Sequence, residues 1–162
     1  MGRLPGLPLC AVWVSFADEL VLELGQLVKQ HPALEHEVGQ WRLGALGSDW
    51  SLTRPGGGLL FPRPLADGEA WGSAATRAFD PLLSAGIESL THGDDWRLQV
   101  RLGGGHLFTV EPARGGDMPD WQLCPAGDGP YVEGGPGQRV ALMAEHGHPP
   151  LEEVVEPLGL IA

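Results

Sequence analysis

Residues 94–110, Asp-Asp-Trp-Arg-Leu-Gln-Val-Arg-Leu-Gly-Gly-Gly-His-Leu-Phe-Thr-Val, leave the chain few folding options. Trp96, Leu98, Val100 and Leu102 alternate with Arg97, Gln99 and Arg101, the period of a strand with one buried and one wet face. Gly103, Gly104 and Gly105 supply the positive φ of a tight reversal, and Phe108 and Val110 resume the buried face on the way back. A β-hairpin follows, and its alternation is repeated elsewhere. In 9–16, Val12, Val14 and Phe16 take one face and Trp13 the other; Ala17-Asp18 supplies a turn; Leu20, Leu22 and Leu24 then alternate up to Gly25. A helix over 19–30 also fits Leu20, Leu24, Leu27 and Val28, but the strand reading matches the hairpin pattern better.

The 25 Gly and 15 Pro cut long helices into pieces, which favours short strands joined by turns. Residues 31–47 read as connection with a short strand at 40–43. Residues 49–54 and 59–61 read as a hairpin about Pro55-Gly-Gly-Gly58, and 62–72 as a loop. A short helix is predicted near 74–84, with Ser73 as its N-cap and Asp80-Pro81 near its end. Strands are predicted at 87–90, 120–124, 131–132 and 139–143, and a one- or two-turn acidic helix at 151–156.

The halves echo one another: Leu20-x-Leu-x-Leu-Gly25, then Asp49-Trp-Ser-Leu52, resembles Leu98-x-Val-x-Leu-Gly103, then Asp120-Trp-Gln-Leu123. The expectation is a single domain over 1–162, α+β in class but mainly antiparallel β. Two meander units, 9–61 and 87–143, share one core, with one or two short helices and an acidic tail at 144–162.

A net charge of -11 excludes a phosphate-backbone surface, so no nucleic-acid partner is expected. From Trp121 onward Asp128, Glu133, Glu145, Glu152, Glu153 and Glu156 face one base, Arg139, a field that attracts a basic protein partner. Of the six tryptophans, Trp41 and Trp71 lie in irregular, Gly-rich surroundings and are the candidates for exposed contacts, whereas those on strands belong in a core. Cys10 and Cys124 are read as reduced, partly buried thiols. His146 and His148 with Glu145 lack a third ligand fixed by spacing and read as a solvated loop; no metal or cofactor is expected. The glycine runs join strand to strand, unlike phosphate loops, and no catalytic signature is present, so no enzyme is expected. No apolar run is long enough to span a bilayer and no secretory leader is legible, which predicts a cytoplasmic protein with no membrane partner.

Residues 80–83 (Asp-Pro-Leu-Leu), 96–102, 107–112, 120–123 and the Gly134-Gly-Pro-Gly137 close before Val140 resemble a family of small, uncharacterised β-rich bacterial domains of high-GC genomes. The likeness covers about two thirds of the chain and falls mostly on strand, turn and packing residues. It implies an immunity-type role, binding and neutralising a partner toxin, and no catalytic residue. The Pro/Gly-rich segment after Phe61 and the tail from Ala144 depart from that pattern. Two other roles fit the composition: a small-molecule-binding or enzymatic domain with a Trp-lined pocket between the meanders, and an assembly partner in a larger complex.

Overall fold

The structure, a computed structural model, describes residues 4–15, 19–29, 37–46, 49–62, 65–112, 119–127 and 131–135, with the backbone of 138–143 and 160–161. Among these residues the alternating segments become β1 (Leu9–Val14), β2 (Leu20–Lys29), β3 (Glu37–Ala45), β4 (Trp50–Thr53), β5 (Leu59–Phe61), β6 (Ile87–His92), β7 (Leu98–Leu102), β8 (His106–Val110), β9 (Trp121–Pro125), β10 (Tyr131–Gly135), β11 (Gln138–Met143) and β12 (Leu160–Ile161). The helix α1 spans Trp71–Phe79 and runs into a 3-10 turn at Asp80–Leu82. The expected class, mainly antiparallel β with a short helix, is what forms; β12 on β6 is the parallel exception. No helix of the described residues is long and apolar enough to cross a membrane.

The strands make two six-stranded sheets, β1-β2-β3-β9-β10-β11 (sheet 1) and β12-β6-β7-β8-β4-β5 (sheet 2). The two meanders are therefore not separate layers. Each sheet takes strands from both halves, because β3 pairs with β9 and β8 pairs with β4. The connectivity of the first five strands is repeated by β6 to β10, and the repetition reaches individual hydrogen bonds. Leu20, Leu22 and Leu24 pair with Ala45, Leu43 and Trp41, as Leu98, Val100 and Leu102 pair with Val110, Phe108 and His106. A register shift falls between Leu9 and Ala11 on β1 and at the matching place, between Ile87 and Ser89, on β6. Gly25 N–H donates to Pro8 O and Gly103 N–H to Gly86 O, each at 2.8 Å; Leu46 N–H donates to Asp120 O (2.8 Å) as Glu111 N–H does to Asp49 O (2.7 Å). The segments ahead of β1 and β6 pair with each other at Pro8 and Gly86, so a pseudo-two-fold axis passes between these residues. Across it Gly6 N–H donates to Ile87 O (2.8 Å) and Ser84 N–H to Leu9 O (2.7 Å).

That equivalence makes a stability prediction. Gly6 and Ser84 occupy the same place and both have positive φ, 95° and 76°. A left-handed residue with a Cβ costs about 1–2 kcal/mol, and glycine's extra unfolded-state freedom offsets about half of it. Ser84→Gly should therefore stabilise the chain by about 0.5 kcal/mol. Gly6→Ala, with open space around its Cβ, should cost about 0.5–1 kcal/mol through the backbone alone, the same left-handed cost less the same offset. Urea titration of both variants measures the pair, and equal midpoints would mean that the turn is not strained.

One contiguous core runs through both sheets, formed from Leu20, Leu22, Leu24 and Leu43 on one side and Leu98, Val100, Leu102 and Phe108 on the other. α1 closes one edge of it, beside β1, with Ala74, Ala75 and Phe79 buried. The helix begins at Trp71, within the predicted loop, and its N-cap is Ala70 with no side-chain cap bond, so Ser73 is inside the helix. Trp71 explains the early start: its ring packs edge-on against Trp50 (5.9 Å between centres) and Phe61 (5.8 Å). The short strand predicted at 40–43 is the middle of the nine-residue strand β3, which runs from Glu37 to Ala45 through flanking residues that read as connection in the sequence. The predicted helix at 151–156 lies outside the described residues.

Candidate functional site

Register places a row of side chains on the outer face of sheet 1. Ala11 stands opposite Glu23, Glu23 opposite Arg42, and Arg42 opposite Cys124. The next row holds Trp13, Val21, Gly44, Gln122 and Glu133 in the same order of strands. Their alternates Leu22, Leu43, Leu123 and Val132 point into the core.

Glu23 organises this face. Although a carboxylate, it is only 3% exposed, and a buried charge is tolerated when paired and hydrogen-bonded. Trp13 Nε1 donates to Oε1 at 2.9 Å, Arg42 Nε donates to the same oxygen at 3.1 Å, and Gly39 N–H donates to Oε2 at 2.8 Å. The last bond depends on glycine, because a Cβ at position 39 would lie 2.5 Å from Leu24 N. The Arg42 guanidinium carbon sits 5.6 Å from the centre of the Trp13 ring, a cation–π distance. Three strands thus deliver a tryptophan and an arginine to one carboxylate, and Trp13 remains 39% exposed.

Beyond Arg42 the face carries one carboxylate among the described residues, Glu133. Glu133 accepts from Gln122 Nε2 at 3.0 Å. Burial first, then the Glu133 carboxylate, pushes the Tyr131 hydroxyl's pKa up, so it stays a hydrogen-bond donor well into the alkaline range. Burial likewise pushes the Cys124 thiol up to about 11, with Glu133 adding and Arg42 opposing. Cys10 is also raised, by burial and then by Glu23, and its Sγ donates to Glu23 O at 3.2 Å. Because reactivity belongs to the thiolate, Cys124 of the folded chain should resist alkylation by iodoacetamide at pH 8 on the timescale that labels it in denaturant, and Cys10 should react more slowly than it does in denaturant. Labelling of Cys124 should rise only as pH approaches about 11. The sign for stability agrees: the preference for the neutral thiol is fully present below the ordinary value of 9.0 and is lost as pH climbs to about 11. Rapid labelling at pH 8 would contradict this burial.

Of the residues expected at a contact surface, Glu133 lies on this face. Trp41 does not: it is 6% exposed, on the core side of β3 opposite Leu24. The irregular surroundings suggested by Gly39 and Gly44 are a regular strand. Trp71 is half-buried at the start of α1. Asp128, Glu145, Glu152, Glu153 and Glu156, with His146 and His148, lie outside the described residues. The exposed tryptophan is instead Trp13, whose opposite phase to Val12 and Val14 is legible in the sequence. Trp50, with Trp41 and Trp121, is core; it stacks on Phe61 with ring centres 4.6 Å apart.

Comparison with known protein families, with curated proteins and with solved structures finds no match to this chain.

Proposed function

We propose that this chain is a non-enzymatic binding domain that inhibits a basic protein in the manner of an immunity protein, with the outer face of sheet 1 as its contact surface. The observation that carries the reading is the Trp13–Glu23–Arg42 constellation. Trp, Tyr and Arg supply most of the energy at protein contacts, above all when they are held rigidly. Here Trp13 and Arg42 are fixed by shared bonds to a buried carboxylate, with Tyr131 on the same face. Glu133 and the net charge of -11 add the sign: a cationic partner is attracted, a phosphate backbone repelled. The resemblance of 80–83, 96–102, 107–112 and 120–123 to small, uncharacterised β-rich bacterial domains, which implies an immunity-type role, supports the same reading.

The products of the adjacent genes are the partners to test. The full chain should bind one of them with salt-sensitive association and protect a host in which that product is toxic, and Trp13→Ala should speed dissociation about tenfold or more, as hot-spot truncations do. Failure to bind or protect against every adjacent product would refute the proposal.

A further inference from the structure

We propose that Glu23 is the positioning residue of this surface and that Arg42, its charge cancelled by Glu23, reads uncharged acceptors, the main-chain carbonyls of a loop on the basic partner. The proposal rests on the binding function above. Three observations lead to it.

The fold does not require the constellation. The pseudo-two-fold puts Thr91, Arg101 and Leu107 of sheet 2 where sheet 1 has Trp13, Glu23 and Arg42, and that sheet forms with the same register around them. Nor does it serve stability well, since a buried carboxylate–guanidinium pair is at best about neutral against an apolar replacement of similar volume. What it does is hold two side chains still at a half-exposed surface: the Arg42 side chain is 35% exposed and that of Glu23 is 4%.

The chemistry of the partner group follows from charge. In a chain of net charge -11 the partner is basic, and a bare Arg42 would repel it. Glu23, 3.1 Å away, removes that repulsion without using up the donors. Nε is committed to Glu23, while the two terminal nitrogens carry four further N–H groups in a fixed planar fork. Donors without net charge suit carbonyl oxygens, which a cationic loop presents as readily as any other. Trp13, stacked beside the fork, offers apolar area to the same loop.

The test uses the full chain and the adjacent-gene product that it binds. Arg42→Lys keeps the charge but loses the fork; dissociation should speed up about tenfold, the value of a hydrogen bond to a charged group, with the salt dependence of association unchanged. Glu133→Gln should do the reverse, slowing association at low salt and leaving dissociation alone. Glu23→Gln should dissociate faster than wild type, and proton NMR should show rapid solvent exchange at the Trp13 indole N–H while core amides stay protected, which distinguishes lost positioning from lost fold. Should Glu23→Gln not fold, Arg42→Lys and Glu133→Gln still decide the matter. Wild-type dissociation in Arg42→Lys, or a change in its salt dependence, overturns the reading of Arg42 while leaving the binding function intact. A wild-type chain that binds no adjacent product overturns the function itself.

Discussion

Trp121→Ala should cost about 3–5 kcal/mol, the range for deleting a buried large aromatic, a large share of a stability that for domains is about 5–15 kcal/mol. The indole is fully buried and is the largest such side chain among the described residues. It also ties the sheets together: Trp121, on β9 of sheet 1, donates through Nε1 to Trp96 O, just ahead of β7 in sheet 2, at 2.9 Å. Gly134, its partner on β10, lies against the ring face. A Cβ there would stand 2.5 Å from Cε2 and 2.8 Å from Nε1, and overlaps Cζ2 as well. Gly134→Ala should thus cost about 1–3 kcal/mol by overpacking, unusual for one methyl group. The two effects should not add. With the indole gone the methyl group has room, so Gly134→Ala in the Trp121→Ala background should be close to neutral. Chemical denaturation of the four proteins of this cycle checks it, and additive losses would show that Gly134 serves the strand rather than the ring.

The second large effect is at Glu23. Glu23→Ala strands the Gly39 amide, which sits between strands, while Arg42 and Trp13 can turn to water. The loss expected is about 1–3 kcal/mol, that of an unsatisfied buried donor, rather than the larger cost of breaking a fully buried pair. Glu23→Gln keeps a side-chain oxygen for the Gly39 N–H and should recover most of that loss in stability while still dissociating faster from the partner. Thermal unfolding alongside the binding assay separates the two, and a Glu23→Gln variant as unstable as Glu23→Ala would indicate that the ion pair with Arg42, rather than the Gly39 bond, sets the loss.

How far the sequence alone leads depends on the range of the interaction. Period-2 alternation is local, so β1, β8, the first half of β2, β7 from Leu98 and the glycine reversal are legible, as is the opposed phase of Trp13. β2 runs on past Gly25 to Lys29, and Trp96, expected to open β7, lies ahead of it with a φ of 68°. Of β3 only 40–43 is legible, because Gly39 and Gly44 look like loop residues. In the fold Gly39 is the position where Leu24's backbone comes too close for any Cβ. A four-residue strand set in a connection names no partner, so the pairing of Glu23 with Arg42 is unreadable, and Glu23 passes for a wet-face acid of β2. The start of α1 at Trp71 is set by rings from β4 and β5, a tertiary effect that capping rules do not carry. The exchange of strands between halves is likewise invisible, since an echo of segments says nothing about which sheet each one joins.

That exchange bears on how the chain is made. β3 and β4 leave the ribosome in succession, but β3's neighbour is β9 and β4's is β8. At about 5–20 residues per second, the first five strands wait several seconds with open sheet edges before the strands that cover them exist. Helix α1, made in that interval, can shield β1 but not the edges of β3 and β4. Until β8 and β9 are made, the edges of β3 and β4 are templates for pairing with another chain, so neither sheet can close before the second half of the chain is synthesised.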